Sequence, residues 1–223
     1  MGRTELKYLI SAASCRLIIS RLSSVLPFDT HATGDGSYFV RSLYFDSMIF
    51  QGFFDKEAGL RDRRKFRIRY YNGDRSFIRL EEKEKIGSFS TKTGVRISVE
   101  SFENLAERKG SLGPFDHPLL EDFNRRVRTG SLFPILFTDY LRTSFCHPVG
   151  DLRVTLDRGV TASHFSGDVW RPGASVPLMK SGEAILEIKY SGVYPAHILD
   201  LIRDIPKTQT AVSKYCLCCQ ALY

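Results

Sequence analysis

The sequence predicts an α+β fold: a closed antiparallel β tunnel of about eight strands with a charged interior, covered by amphipathic helices. Three observations predict it. Segments of period-two patterning recur along the chain, their charged residues gather on one face in strand after strand, and helical apolar stripes lie between them.

Residues 3 to 9 read as a short strand, and Ser11 then caps a helix whose Leu17, Ile18, Leu22, Val25 and Leu26 fall at helical spacing. Period two returns over Phe39 to Asp46, Arg64 to Tyr71, Ser76 to Lys85 and Val95 to Val99, with Asn72-Gly73 marking a tight hairpin. Helical segments are expected around Phe102 to Ala106 and Pro118 to Val127. Strands resume over Ile135 to Phe145, Leu152 to Leu156 and Ala184 to Tyr190, and helices follow over Pro195 to Arg203 and Ser213 to Leu222. Polar Gly-containing loops such as Asp29 to Ser37 and Gly110 to Pro114 connect them. With no internal repeat, low-complexity tract or long linker, residues 1–223 are expected to form one domain.

Composition bounds the function. At 223 residues, 43% hydrophobic and 26% charged, the chain can bury a core without staples, and disorder does not fit. A net charge of +7 favours an anionic partner without separating nucleic acid, acidic lipid and phosphate. No apolar run reaches the roughly 18 residues of a membrane helix. Arg3, Glu5 and Lys7 precede any apolar stretch, unlike a signal peptide, and Leu6 stands where a myristoylation motif after Met1-Gly2 wants Ser or Thr. A cytosolic location is expected.

Five cysteines, three of them crowded as Cys216, Cys218 and Cys219 with no histidine nearby, read as small apolar residues on a buried helix rather than a disulfide framework or zinc site. Cys15 and Cys146 read as core residues. No Walker loop or G-x-S-x-G pattern occurs, and His31, His117, His147, His164 and His197 lack metal spacing. The aromatics of Phe50 to Phe54 read as packing, with a partner patch as the alternative.

Strand side chains alternate faces, so Lys65, Arg67 and Arg69 oppose Phe66, Ile68 and Tyr70. Arg79, Glu81, Lys83 and Lys85 likewise oppose Ile78 and Leu80; Arg153, Thr155 and Asp157 oppose Leu152, Val154 and Leu156; Glu187 and Lys189 oppose Leu186 and Ile188. Taken singly, each is the solvated face of a half-buried sheet. A solvated face tolerates Ser, Thr, Gln and Asn, whereas these positions are mostly Arg and Lys with single carboxylates at Glu5, Glu81 and Glu187. Guanidinium and ammonium groups suit a polyanion, and carboxylates suit a hard divalent cation.

Taken together, Glu5-Leu6-Lys7-Tyr8, Val40 to Asp46, Lys65 to Tyr71, Leu80-Glu81-Glu82-Lys83, Leu186 to Tyr190 and Ser213-Lys214-Tyr215 resemble, in consistent order from residue 3 to residue 215, the VTC domain. That family belongs to the triphosphate tunnel metalloenzymes. The resemblance implies a tunnel of antiparallel strands in which ATP extends inorganic polyphosphate with Mn2+ (or Mg2+). It implies that Arg67, Arg69, Lys83, Lys92, Arg142 and Arg153 bind phosphates, with Ser213 and Lys214 holding phosphate from the last helix. Glu187 would hold the metal, Glu5 and Glu81 would be secondary metal or water ligands, and Lys7 and Lys189 would complete the positive lining. One departure is that Ala211 and Val212 fill a stretch where the family carries a lysine; Lys207 is the candidate to replace it.

The reading is therefore a polyphosphate polymerase acting on ATP and polyphosphate, without nucleic acid and without a membrane span of its own; a membrane partner stays open. The alternatives are a tripolyphosphatase or nucleoside triphosphatase with Glu5 or Glu81 positioning water, and a non-catalytic polyphosphate or nucleotide sensor. Nucleic-acid binding fits less well, because the interleaved carboxylates repel a phosphate backbone that brings no metal.

Overall fold

A computed structural model describes residues 3–87, 89–106, 117–192 and 195–223. The expected Gly110 to Pro114 loop lies outside them. The first elements are β1 (Arg3–Ser11), α1 (Ala12–Ser23), β2 (Ser37–Asp46), α2 (Gln51–Glu57), β3 (Arg63–Tyr71), β4 (Ile78–Ile86) and β5 (Phe89–Ile97). There follow α3 (Val99–Ala106), α4 (Pro118–Arg128), β6 (Phe133–His147), β7 (Leu152–His164), β8 (Val176–Pro177), β9 (Glu183–Ser191), α5 (Ala196–Leu199), β10 (Thr208–Gln209) and α6 (Lys214–Leu222). The class is α+β as expected, and the eight long strands match the expected number; β8 and β10, two residues each, are too short for alternation to reveal.

The chain forms two compact units, each drawn from three segments. The first comprises Met1–Phe39, Tyr140–Val160 and Pro177–Ser213, the second Val40–Asp139, Thr161–Val176 and Lys214–Tyr223.

In the first unit the strand order is β10-β1-β9-β7-β6, an open path rather than a hydrogen-bonded ring. Leu6, Tyr8 and Ile10 of β1 oppose Ile188, Leu186 and Ala184 of β9, and Val154 and Leu156 of β7 continue that apolar side. Helix α1 covers it. The Ser11 hydroxyl accepts the Ser14 N–H, the expected cap, and Cys15, Ile18, Leu22 and Leu26 enter the core. Leu17 and Val25 do not: they are 43% and 50% exposed. Leu17 precedes the buried Ile18 by one position, about 100° around the helix, and Val25 lies past the end of α1, so the buried stripe is narrower than the five apolar residues suggest.

In the second unit the order is β6-β2-β3-β4-β5, again an open path. Phe66, Ile68, Tyr70, Ile78, Leu80 and Ile97 form its apolar side, covered by Phe102 and Leu105 of α3 and by Leu119, Leu120 and Phe123 of α4. The β3–β4 hairpin turns through Asn72 and Gly73, both at positive φ (51° and 70°), as a type I′ turn requires.

Strand β5 starts at Phe89, well before the expected Val95, because Phe89 to Thr93 are all exposed and show no alternation; Val99 begins α3 instead of ending β5. Helix α2 was not expected. Phe50 packs its ring 4.5 Å from that of Tyr223, but Phe54 is 58% exposed, so packing does not account for it. The segment Pro195 to Arg203 is the short α5 followed by a 3-10 turn, Asp200–Ile202. Cys216, Cys218 and Cys219 are buried on α6. Among the described residues no helix is long and apolar enough to cross a membrane.

Candidate functional site

Each unit carries one charged face, set by strand register. In the second unit Arg63, Lys65, Arg67 and Arg69 of β3 stand opposite Lys85, Lys83, Glu81 and Arg79 of β4, and these stand opposite Ser90, Lys92, Gly94 and Arg96 of β5. The twelve positions thus hold nine cations and one carboxylate. Two of the four rows, Lys65-Lys83-Lys92 and Arg69-Arg79-Arg96, are wholly cationic, and like charges directly across a ladder destabilise a sheet. A bound polyanion removes that repulsion.

Glu81 anchors the face. It is buried, and its Oε2 accepts from Arg67 Nε at 2.7 Å while Oε1 accepts from Lys92 Nζ at 2.5 Å; Arg69 Nη1 lies 3.9 Å away. Burial alone would raise the Glu81 pKa, but Arg67, Arg69 and Lys92 outweigh it and hold the carboxyl well below the usual range. Lys92 is lowered to about 8, because its partial removal from water, with Arg67 and Arg69 nearby, outweighs Glu81.

Strand β2 supplies polar backing. Arg67 Nη1 donates to Tyr44 Oη at 3.2 Å and Arg69 Nε to Ser42 Oγ at 3.1 Å. Burial opposes ionisation of Tyr44, yet Arg67 and Arg69 prevail and lower its pKa. Lys65 has its pKa lowered by burial and stands 5.0 Å from the Tyr215 ring centroid. Lys83 is exposed. Tyr215 donates to Asp46, which also accepts from the Gly52 N–H at 2.9 Å, so a buried acid ties α6 to the start of α2 and places Lys214 at the head of α6.

In the first unit the rows are Glu5-Lys189-Arg153, Lys7-Glu187-Thr155 and Leu9-Ile185-Asp157. Two carboxylates and two ammonium groups alternate: Lys7 Nζ is 3.0 Å from Glu5 and 3.6 Å from Glu187, and Lys189 Nζ is 3.1 Å from Glu187 and 3.8 Å from Glu5. Burial works against charge on both lysines. For Lys7 the two carboxylates win and its pKa rises; for Lys189 burial wins and its pKa falls. Lys7 also donates to the Val212 carbonyl at 3.1 Å, fixing the stretch that precedes Ser213.

Arg142 and Arg153 each meet an acid. Arg142 grips Asp157 bidentately, Nε to Oδ1 at 2.6 Å and Nη2 to Oδ2 at 2.8 Å, with Asp157 fully buried. Arg153 Nη2 donates to Asp29 at 2.6 Å and to Tyr38 Oη at 3.2 Å, and its Nε to Ser144 at 3.1 Å. Asp29 and Tyr38 were not singled out from the sequence, where a loop aspartate carries no signal of its partner. Asp157 stood on the charged face but without a role.

A divalent metal can be tested against these groups. Among the described residues no three His, Cys, Asp or Glu side chains gather. Glu81 belongs to the second unit, where cations surround it. Glu5 and Glu187 lie together in the first unit, and the buried Thr155 hydroxyl, opposite Glu187 on the ladder, has no hydrogen-bond partner. Two carboxylates and an unused hydroxyl form an oxygen-only donor set. They fit a hard divalent cation, which prefers oxygen ligands.

No curated protein matches the chain in sequence. Among solved structures, a candidate adenylyl cyclase of Hippeastrum, described as having a dominant triphosphatase activity, aligns with TM-score 0.57 at 17% identity, covering 99% of this chain and 96% of that one. A candidate adenylate cyclase of Bacillus halodurans aligns with TM-score 0.54 at 18% identity over 92% and 89%. The PH1819 protein of Pyrococcus horikoshii aligns with TM-score 0.51 at 13% identity over 98% and 99%. These likenesses establish a common fold. The model of the VTC domain matches residues 2–223, essentially the whole length, so the chain belongs to the VTC domain family.

Proposed function

We propose that this protein is a polyphosphate polymerase, transferring phosphoryl groups from ATP to the end of an inorganic polyphosphate chain. The observation that carries the reading is the second unit's face, nine cations around one carboxylate with two rows wholly cationic, on a chain of the VTC family. Such a face suits a densely charged polyanion.

Phosphoryl transfer needs positioning and charge neutralisation more than covalent help from the protein. Arg67, Arg69, Lys83 and Lys92 would hold phosphates on the second unit's face; Arg142, Arg153, Lys7 and Lys189 would do so in the first, with Ser213 and Lys214 adding contacts where the two segments meet in sequence. Glu187, with Glu5 and Thr155, would hold Mn2+ or Mg2+, which when bound supplies Lewis-acid neutralisation of charge on phosphoryl oxygens. Acidic partners keep the guanidinium groups oriented before substrate arrives: Glu81 for Arg67, Asp157 for Arg142 and Asp29 for Arg153.

Transfer to phosphate is favoured over hydrolysis by Glu81. Held ionised far below the carboxylate range, it is a poor base for activating water, whereas a terminal phosphate is already anionic and needs no base. The neighbour with triphosphatase activity keeps hydrolysis as the second reading. We take residues 1–223 as one functional domain, since each unit is discontinuous in sequence, and place it in the cytosol.

The deciding experiment incubates the purified chain with ATP and MnCl2 and resolves the products. Long polyphosphate with ADP supports the polymerase. Free phosphate alone replaces it with the hydrolase, and binding without turnover replaces it with a sensor.

A further inference from the structure

Helix α6 meets strand β3 at Lys65, and both elements belong to the second unit. Lys65 Nζ donates to Cys216 Sγ at 3.8 Å and stands 5.0 Å from the Tyr215 ring centroid. Two further contacts hold the helix in place: Tyr215 donates to the buried Asp46, and its ring centroid lies 5.2 Å from that of Tyr44. The fold thus keeps an amine and a sulfur together across 151 positions of sequence.

Both groups are nucleophiles. Burial lowers the Lys65 pKa, which enlarges the share of neutral amine, the form with a lone pair to give. Burial is also the leading cause of a raised pKa at Cys15, Cys146, Cys218 and Cys219, reaching about 11 for Cys219, so thiolate is scarce at those four. Cys216 is 6% exposed beside the half-buried Lys65, a setting that suits an oxidant as small as hydrogen peroxide better than a bulky thiol.

We propose that Lys65 and Cys216 form a reversible N–O–S cross-link when the protein meets a peroxide, fastening α6 to β3. A first peroxide converts the Cys216 thiol to sulfenic acid and leaves as water. A second displaces the hydroxyl at sulfur, giving S–O–OH and another water. The Lys65 amine then attacks the oxygen bonded to sulfur: the N–O bond forms, the O–O bond breaks, and the outer oxygen leaves as water with a proton from nitrogen. Amine and thiol together give up four electrons, which the two peroxides accept. Four reducing equivalents from a dithiol return amine, thiol and water. The flexible stem of lysine brings its nitrogen the short remaining distance.

Nitrogen bonded to oxygen is weakly basic, so the link also takes an ammonium charge out of the wholly cationic row Lys65-Lys83-Lys92. Closing so long a loop restricts the unfolded chain, and both effects stabilise the oxidised form. The chemistry is independent of the phosphoryl-transfer reading, so either can fail without the other.

The test treats the full wild-type chain with hydrogen peroxide, once native and once unfolded in urea, and analyses proteolytic peptides by mass spectrometry. The native sample is expected to yield a peptide pair joining Lys65 to Cys216, heavier than the sum of its parts by one oxygen and lighter by two hydrogens, which dithiothreitol splits. The urea sample should lack it. The thermal midpoint of the oxidised native chain should rise by about 5 °C or more. Lys65→Arg and Cys216→Ser should each abolish both the pair and the rise. Cys216 recovered unmodified, as sulfinic acid or in a disulfide overturns the proposal, as does a link from Cys216 to another lysine in Lys65→Arg. A midpoint that does not rise overturns the fastening of α6. Should a variant fail to fold, the wild-type comparison decides alone: a pair formed equally in urea overturns the proposal, and one confined to the native chain supports it.

Discussion

Arg67 Nε donates to Glu81 Oε2 at 2.7 Å from the position directly opposite on the β3–β4 ladder, and this single ion pair organises the most basic face of the molecule. Glu81 is almost fully buried and also takes Lys92, so its negative charge holds cations that would otherwise repel each other.

Glu81→Gln keeps the shape and removes the charge, leaving Arg67 and Lys92 facing each other uncompensated. The expected cost is about 3 kcal/mol of stability, the order seen when one partner of a buried pair is removed. The pH dependence has a definite sign. A carboxyl whose pKa is depressed by folding contributes stability that is present above its ordinary value of 4.5 and is lost as pH falls below it. Urea midpoints measured across the acid range should therefore fall more steeply for wild type than for Glu81→Gln; parallel curves would refute the role given to Glu81.

Lys92 yields a second prediction. With its pKa lowered to about 8, it is an ammonium ion below that pH and neutral above it, so tripolyphosphate affinity should decline as pH rises through about 8. Anion binding should take up protons in the same range, measurable as a buffer-dependent heat in calorimetry. Lys92→Arg keeps the charge and should flatten the decline; a decline that persists in that variant would assign the titration elsewhere.

The sequence made the charged faces legible because strand alternation is a local property: Lys65, Arg67 and Arg69 declare their common face without any knowledge of neighbours. Register is not local. The direct opposition of Lys83 to Lys65 and Lys92, and of Arg79 to Arg69 and Arg96, depends on how three strands pair, and so Arg79 and Arg96 went unassigned. The acids that orient the arginines were hidden for the same reason, since Asp29 meets Arg153 across 124 positions of sequence. Strand β5 was half missed because its first residues are exposed and polar, and α1 was drawn too wide because apolar identity does not guarantee burial for Leu17 and Val25.

Glu187 supplies a third prediction. In the metal-binding role proposed for it, Glu187 would act through a charge that Glu187→Gln removes while preserving most of its volume. ATP turnover should drop by about a hundredfold or more, and metal binding followed by calorimetry without nucleotide should weaken in parallel. The thermal midpoint should move by only a few degrees, because Lys7 keeps Glu5 as a partner at 3.0 Å. A midpoint that collapses together with activity would make Glu187 a structural member of the ion-pair square.

Asp157 supplies the last. It is fully buried and takes both of its Arg142 contacts in the interior, where burial alone would lower the arginine pKa and Asp157 raises it well above the usual value. Asp157→Asn leaves a buried guanidinium short of its counter-charge and should cost about 3–5 kcal/mol, or roughly 6–20 °C in thermal midpoint for a chain of this size. Replacing both partners, as Arg142→Met/Asp157→Leu, should recover most of that loss, because a buried ion pair exchanged for apolar side chains of similar volume no longer carries a desolvated charge. The same double variant should still bind phosphate poorly, since it lacks the Arg142 guanidinium. Restored stability with weak phosphate binding separates the two tasks of Arg142; restored binding would show that the pair serves only the fold.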